Sequence, residues 1–256
     1  MESLFSLANR KILVTGGAQG IGKAVAFRLA EAGANVGILD RNGEGAQSVA
    51  DELKLRFPSR NFAGFVCDVT DYEAVNRTVD DFVRCFDGID GLFNNAGTCI
   101  HKEVENVTPE EWLRVVNVNY NGLFYVAQAV GKRFIATKTK GTIVNTGSMS
   151  GVIINLPQPQ TSYNSSKAAV IHLTKSLAVE WAQYGIRVNC ISPGYIKTEL
   201  SGMAKPEWIE YWLQAVPFHR MGLPDELAGA VIYFMSEAST YTSGANLIID
   251  GCFTST

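Results

Sequence analysis

The chain has 256 residues, 46% hydrophobic and 18% charged, with a formal net charge of −3. That balance suits a soluble globular protein with a large core. The slight acidity weighs against nucleic acid or an anionic membrane as partner. No apolar run reaches the length of a membrane span, and Met1 to Arg10 lack the apolar core of a secretory signal. Five cysteines, with no CxxC pair, read as reduced thiols, so a cytoplasmic location is expected. No linker, charge block or repeat marks a boundary, so one domain is expected over 1–256.

In chain order, short runs rich in Val, Ile, Leu and Phe alternate with longer helical patterns. Lys11–Thr15 reads as a strand, followed by a helix over 20–33; Asn35–Asp40 is followed by a helix over 43–57. Asn61–Asp68 precedes a helix over 71–86, and Gly91–Asn94 precedes one over 109–137. The last of these starts at Thr108-Pro109-Glu110-Glu111, which offers Thr as N-cap, Pro in the first turn and Glu three residues after the cap. Thr142–Thr146 leads to a helix over 162–184, and Arg187–Ser192 to a lid-like insertion around 195–219. A helix over 224–237 and the strand Ala245–Asp250 close the chain. Near-continuous apolar strands are those covered on both faces. Their alternation with helices predicts an α/β doubly wound parallel sheet of about seven strands with helices on both faces. Right-handed crossovers then gather the carboxyl ends of the strands along one edge, where ligands bind.

At the first such end stands Thr15-Gly16-Gly17-Ala18-Gln19-Gly20-Ile21-Gly22, running into a helix. Glycines let backbone turn tightly and approach a pyrophosphate, and the helix amino terminus offers N–H groups to that anion. Gly16, Gln19, Gly20, Ile21 and Gly22 are the expected dinucleotide contacts. The spacing, G-x-x-x-G-x-G, differs from the common G-x-G-x-x-G. Strand two ends in Asp40, a carboxylate that can bind both adenosine ribose hydroxyls and repels a 2′-phosphate. This favours NAD; Arg41, which can pair with a phosphate, keeps NADP as the alternative. Asp68 and Val69 end strand three, where the Asp can meet the adenine amino group or serve only as an N-cap. Asn95, Ala96 and Gly97 follow strand four, where small residues allow close approach or simply make a turn.

Tyr163 and Lys167 are four residues apart, on one face of a helix. A nearby ammonium, together with the charge of an oxidised nicotinamide, favours the phenolate and is expected to lower the tyrosine pKa, so that the phenol can exchange a proton with an alcohol or carbonyl oxygen. Ser148, after strand five, can hold the same oxygen. Alone, the Tyr-x-x-x-Lys pair is also read as a surface aromatic beside a solvated lysine.

These motifs together resemble the short-chain dehydrogenase/reductase family over the whole chain. The matching residues are the Thr15–Gly22 turn, Asn94-Asn95-Ala96-Gly97, Asn117-Val118-Asn119, Ser148, Tyr163-Asn164-Ser165-Ser166-Lys167, Arg187-Val188-Asn189 and Pro193-Gly194. The resemblance implies a Rossmann-like domain and nicotinamide-dependent hydride transfer. It implies that Asn119 distorts its helix and anchors a relay water, Ser148 orients substrate, Tyr163 is the acid/base, and Lys167 binds nicotinamide ribose and tunes the tyrosine. It places Pro193, Gly194, Ile196 and Thr198 at the cofactor. The gap between Ser148 and Tyr163 is longer than the family's usual one, so Ser150 is the alternative for the serine role. Cys252, in Asp250-Gly251-Cys252, stands where a second glycine is common and reads as packing or interface variation.

Met149–Ser162 and Tyr195–His219 are expected to wall the substrate pocket, with Ser148, Ser150, Asn155, Tyr163 and Tyr195 as contacts. Asn155, Gln158 and Gln160 with Trp208, Tyr211, Trp212, Phe218 and His219 suit a compact polyhydroxylated substrate. The alternative is that these aromatics only pack a lid helix. Asn119-Tyr120-Asn121-Gly122, Ser148-Met149-Ser150-Gly151 and Ala178-Val179-Glu180-Trp181-Ala182 resemble stretches of sugar-alcohol dehydrogenases and ketose reductases in the family; oxoacyl thioesters, steroids and cyclic alcohols or ketones stay open. A silent dinucleotide sensor on the same fold is the competing class. His101, His172 and His219 show no zinc spacing, so no metal is expected. The long helices near 109–137 and 162–184 carry surplus apolar surface, and with the resemblance they imply a homotetramer, or a dimer as fallback.

Overall fold

The computed structural model describes residues 4–199 and 201–255. Seven strands form: β1 (Lys11–Thr15), β2 (Asn35–Asp40), β3 (Phe62–Val66), β4 (Gly91–Asn94), β5 (Thr142–Thr146), β6 (Arg187–Pro193) and β7 (Asn246–Ile249). They pair in the order β3-β2-β1-β4-β5-β6-β7, every pair parallel. The helices that matter here are α1 (Gly20–Glu31), α2 (Gly43–Arg56), α3 (Tyr72–Phe86), α4 (Pro109–Val116), α5 (Leu123–Thr137), α6 (Thr161–Trp181), α7 (Pro206–Ala215) and α8 (Asp225–Met235).

Strand alternation sends neighbouring residues into two separate apolar layers. Ile12 and Val14 of β1 pack with Leu29 of α1, Leu53 of α2 and Phe234 of α8. Leu13, between them, packs with Phe82 of α3, Phe134 of α5 and Leu177 of α6. Each such side chain contributes about 1.5–3 kcal/mol on burial, which explains why the strands show no polar face. Chain order reverses between β1 and β4, and in an open parallel sheet that is where a crevice opens at the carboxyl edge.

Three details depart from the sequence reading. β3 stops at Val66, because Asp68 Oδ1 accepts from Thr70 N (2.9 Å) and Thr70 Oγ1 (2.8 Å) and turns the chain. The cap of α3 is Asp71, which accepts from Ala74 N, and not Asp68. The pattern over 109–137 is two helices joined by a π-helical segment, Asn117–Gly122. There the chain presses against the end of β3: a Cβ on Gly122 would lie 2.8 Å from Val69 Cγ2. The start of α4 is as expected, with Thr108 Oγ1 accepting from Glu111 N and Glu111 Oε2 accepting from Thr108 N. Among the described residues, no helix is long and apolar enough to cross a membrane.

Candidate active site

The glycine turn leaves β1 with Gly16 at φ +62° and Gly20 at φ +54°, a left-handed region that favours glycine. The turn is packed too tightly for side chains: a Cβ on Gly22 would meet Gly16 O at 2.1 Å, and one on Gly16 would meet Ala96 Cα at 2.9 Å. Thr15 and Asn95 fasten this turn to the end of β4. Thr15 Oγ1 accepts from Asn95 N (2.9 Å) and Ala96 N (3.0 Å), and Asn95 Nδ2 donates to Thr15 O (3.2 Å) and Gly16 O (3.3 Å). Gln19 caps α1 without a side-chain bond and the first turn carries no acid, so its N–H groups suit an anion. Asp40 Oδ2 accepts from Ala18 N (3.2 Å) and its Oδ1 from Asn42 N (3.0 Å), which fixes the carboxylate beside the turn; Arg41 is exposed. Bare backbone at a helix start, flanked by a held carboxylate, fits a dinucleotide.

Further along the same edge, Lys167 is buried and its Nζ donates to Thr146 O at 2.7 Å. That ammonium lies 5.6 Å from the centre of the Tyr163 ring. Burial lowers the Lys167 pKa to about 8. Burial also pushes the Tyr163 phenol up to about 12, aided by Cys99 and opposed by the hydrogen bond from Ser148. Without the nicotinamide charge that the expectation included, the protein raises the tyrosine pKa, because desolvation of the phenolate outweighs the help it receives. Of the two serines it is Ser148 that acts to lower the Tyr163 pKa; Ser150 Oγ instead accepts from Gln160 Nε2 at 3.2 Å.

Asn119 lies in the π-helical segment and is fully buried. Its Nδ2 donates to Thr98 O (2.9 Å) and Ser166 Oγ (3.1 Å), and its Oδ1 accepts from Thr98 N (2.8 Å). Both side-chain donors are therefore spent on the protein, so Asn119 ties the loop after β4 to α6.

One cleft holds Ser148, Ser150, Asn155, Tyr163 and Tyr195 with Ile21, Pro193, Gly194, Ile196 and Thr198. The substrate and nicotinamide candidates thus share a single opening. Asp40, Arg41, Asp68 and Val69 lie apart from it, at the ends of β2 and β3. The lid aromatics divide between the two readings. Trp212 is buried and stacks on Tyr195 at 4.3 Å, whereas Trp208 stands edge-on to His101 at 5.2 Å. Cys99 and His101 also line the cleft and were missed as site residues. Their signal was position: they follow Gly97 on the loop leaving β4, at the functional edge of the sheet.

A family model described as "Enoyl-(Acyl carrier protein) reductase" matches residues 16–254. The chain is 43% identical to a sorbose reductase of Candida albicans, an alignment covering 98% of this chain and 89% of the relative. It is 40% identical to an NADP-dependent mannitol dehydrogenase of Alternaria alternata, over 98% of this chain and 94% of that one. A crystal structure of a short-chain type dehydrogenase/reductase from Mycobacterium marinum superimposes with a TM-score of 0.93, at 41% identity, over 98% of both chains. The chain belongs to the short-chain dehydrogenase/reductase family. It is an oxidoreductase of the kind that works with a nicotinamide cofactor.

Proposed function

We propose that this enzyme interconverts a polyol and its ketose, with Tyr163 as the proton-transferring group. The observation that carries the reading is the buried Lys167 ammonium 5.6 Å from the Tyr163 ring, in a cleft that Ser148 and Tyr163 line together and carboxamides wall. The sorbose reductase and mannitol dehydrogenase named above support the substrate class. Ser148 holds the substrate oxygen, and Tyr163 gives or takes its proton. The Lys167 ammonium stabilises the phenolate, a task made necessary by the burial that raises the Tyr163 pKa. Asn119 positions the loop and helix that carry these groups. When bound, a nicotinamide cofactor supplies hydride exchange with the carbinol carbon.

In this reading Gly16, Gln19, Gly20, Ile21 and Gly22 hold the pyrophosphate, and Asp68 and Val69 the adenine. Asn95, Ala96, Gly97, Pro193, Gly194, Ile196 and Thr198, with Tyr163 and Lys167, hold the nicotinamide half. We assign NAD as the preferred form because the Asp40 carboxylate is held beside the turn by two backbone N–H groups; the NADP-dependence in the Alternaria relative's name runs the other way. Ser150 and Asn155 face substrate with polar groups. Tyr195 presents its ring, since its hydroxyl is bonded to Asn155, Gln158 and Leu156. Residues 1–256 act as one domain with 195–219 as its lid, in the cytoplasm. The exposed Trp112 and Leu113 of α4 and Val179 of α6 support assembly into a homotetramer.

Nicotinamide absorbance during incubation with polyols, ketoses, oxoacyl thioesters and cyclic ketones tests the activity. Fastest turnover of a polyol–ketose pair is expected; a preference for thioesters or cyclic ketones overturns the substrate class. Light scattering at micromolar concentration tests assembly, where a mass near the 27.8 kDa of one chain refutes it.

A further inference from the structure

The helix α7 stands apart from the main core. Its residues Trp208, Ile209 and Trp212 pack with Met149, Tyr195 and Val216 in a small apolar cluster, separate from the two layers against the sheet. Among the described residues, the side chains of α7 make one hydrogen bond outside 195–219, from Trp212 Nε1 to Gln158 Oε1 at 2.9 Å. A segment with few attachments opens at low cost, so each attachment weighs heavily on its position.

Gln158 grips a second ring with its other end. Its Nε2 donates to Tyr195 OH at 3.3 Å, and the Tyr195 and Trp212 rings are stacked, 4.3 Å between centres and 12° from parallel. One carboxamide therefore spans the edges of two stacked rings, one on α7 and one just after β6. Chemistry fixes its orientation. An indole N–H can only donate, so it takes the carboxamide oxygen. Leu156 O can only accept, so the Tyr195 proton goes there, and the hydroxyl oxygen accepts from Gln158 and from Asn155 Nδ2 at 3.1 Å. Gln158 and Trp212 are each 4% exposed, so cutting either contact leaves a buried polar group without its partner.

We infer that Gln158 is a positioning residue: by clamping Trp212 to Tyr195 it holds α7 closed against the substrate cleft, and it acts on substrate binding through that helix. Gln158, Tyr195 and Trp212 all line the cleft. The clamp shapes the wall and stands outside the Ser148–Tyr163 pair, so its loss weakens binding more than turnover. The inference rests on this cleft being the substrate site, but not on which ketose enters it.

Two variants test it. Gln158→Met keeps the length of the side chain and removes both hydrogen bonds; Trp212→Phe keeps a ring for the stack and removes the N–H. Hydrogen–deuterium exchange of the whole protein needs no substrate. In both variants the amides of 206–215 should exchange at least about tenfold faster, with those of α8 and β6 within about twofold of native. In sorbose reduction KM should rise at least about fivefold in each variant, with kcat within about threefold of native. The double variant should fall within about twofold of the weaker single one, because both changes break the same contact. A KM raised by Gln158→Met but not by Trp212→Phe would show the carboxamide touching substrate directly, and overturns the inference. So does α7 exchange at the native rate, or exchange that rises evenly along the chain, the mark of a merely structural role. If no ketose is reduced, the substrate reading of the preceding section fails and the exchange comparison still decides this one.

Discussion

Replacing Lys167 by methionine should make the cofactor-free protein more stable while abolishing its turnover. Burial lowers the Lys167 pKa from 10.5 to about 8. Each pKa unit corresponds to about 1.4 kcal/mol, so keeping this ammonium at pH 7 costs the native state about 3 kcal/mol. Methionine fills similar space without the charge, but it strands Thr146 O, which Nζ meets at 2.7 Å. An orphaned buried carbonyl costs about 1–3 kcal/mol, so the net gain is about 1 kcal/mol. The sign of the pH dependence follows from proton counts. Between pH 8 and 10.5 the unfolded chain holds a proton at this site that the native protein does not, so native stability rises through that window. The burial penalty that favours Lys167→Met is therefore full below pH 8 and gone by pH 10.5, so the gap closes and then reverses as the orphaned Thr146 carbonyl alone remains. Urea unfolding of both proteins at matched concentration, at neutral and alkaline pH, measures the gap. A variant less stable than the native protein at pH 7, or a gap that does not close as pH rises, would refute the reasoning.

Tyr163→Phe deletes the transferred proton and should lower turnover by about a hundredfold or more, with cofactor affinity little changed; retention of a tenth of native turnover with chemistry rate-limiting contradicts the assignment. Asp40→Ala should lower the ratio of NAD to NADP efficiency, since it removes the ribose acceptor and leaves Arg41 free for a phosphate; an unchanged ratio in steady-state kinetics would place Asp40 outside the cofactor site. Cys252 holds φ +71°, a left-handed conformation that costs a side-chain-bearing residue about 1–2 kcal/mol. Cys252→Gly should therefore raise the thermal midpoint by a few degrees, and a lowered midpoint would count against strain at this position.

Much of the architecture was legible because the relevant signals are local. The strands β1, β2, β4 and β5 have the bounds read from their apolar runs, since both faces are buried and turn residues end them abruptly. The Thr108 capping box was legible for the same reason. The π-helical segment at Asn117–Gly122 was not, because one extra residue per turn leaves an apolar pattern nearly intact, and Val69, the residue that Gly122 packs against, lies in the turn after β3, far away in sequence. The direction of the Tyr163 pKa was equally hidden: the Tyr-x-x-x-Lys spacing shows a neighbour but not the burial that outweighs it. Gln160 could be placed on the pocket wall, and Asn164 stands four residues on, but its contacts with Ser150 and Asn155 come from the loop after β5, and no spacing rule brings those in.

The order of the strands has a consequence for synthesis. Ile12 of β1 pairs with Gly91 of β4, so the central strand keeps one bare edge until residues 91–94 have left the ribosome. During that interval β1, β2 and β3 can pair, but the Ile12–Val14 edge is open to other chains. What closes it is the meeting of the two sheet halves, and the same meeting lets Thr15 and Asn95 fasten the glycine turn. The cofactor crevice is the seam of the fold, and a nascent chain acquires it in the step that removes its stickiest edge.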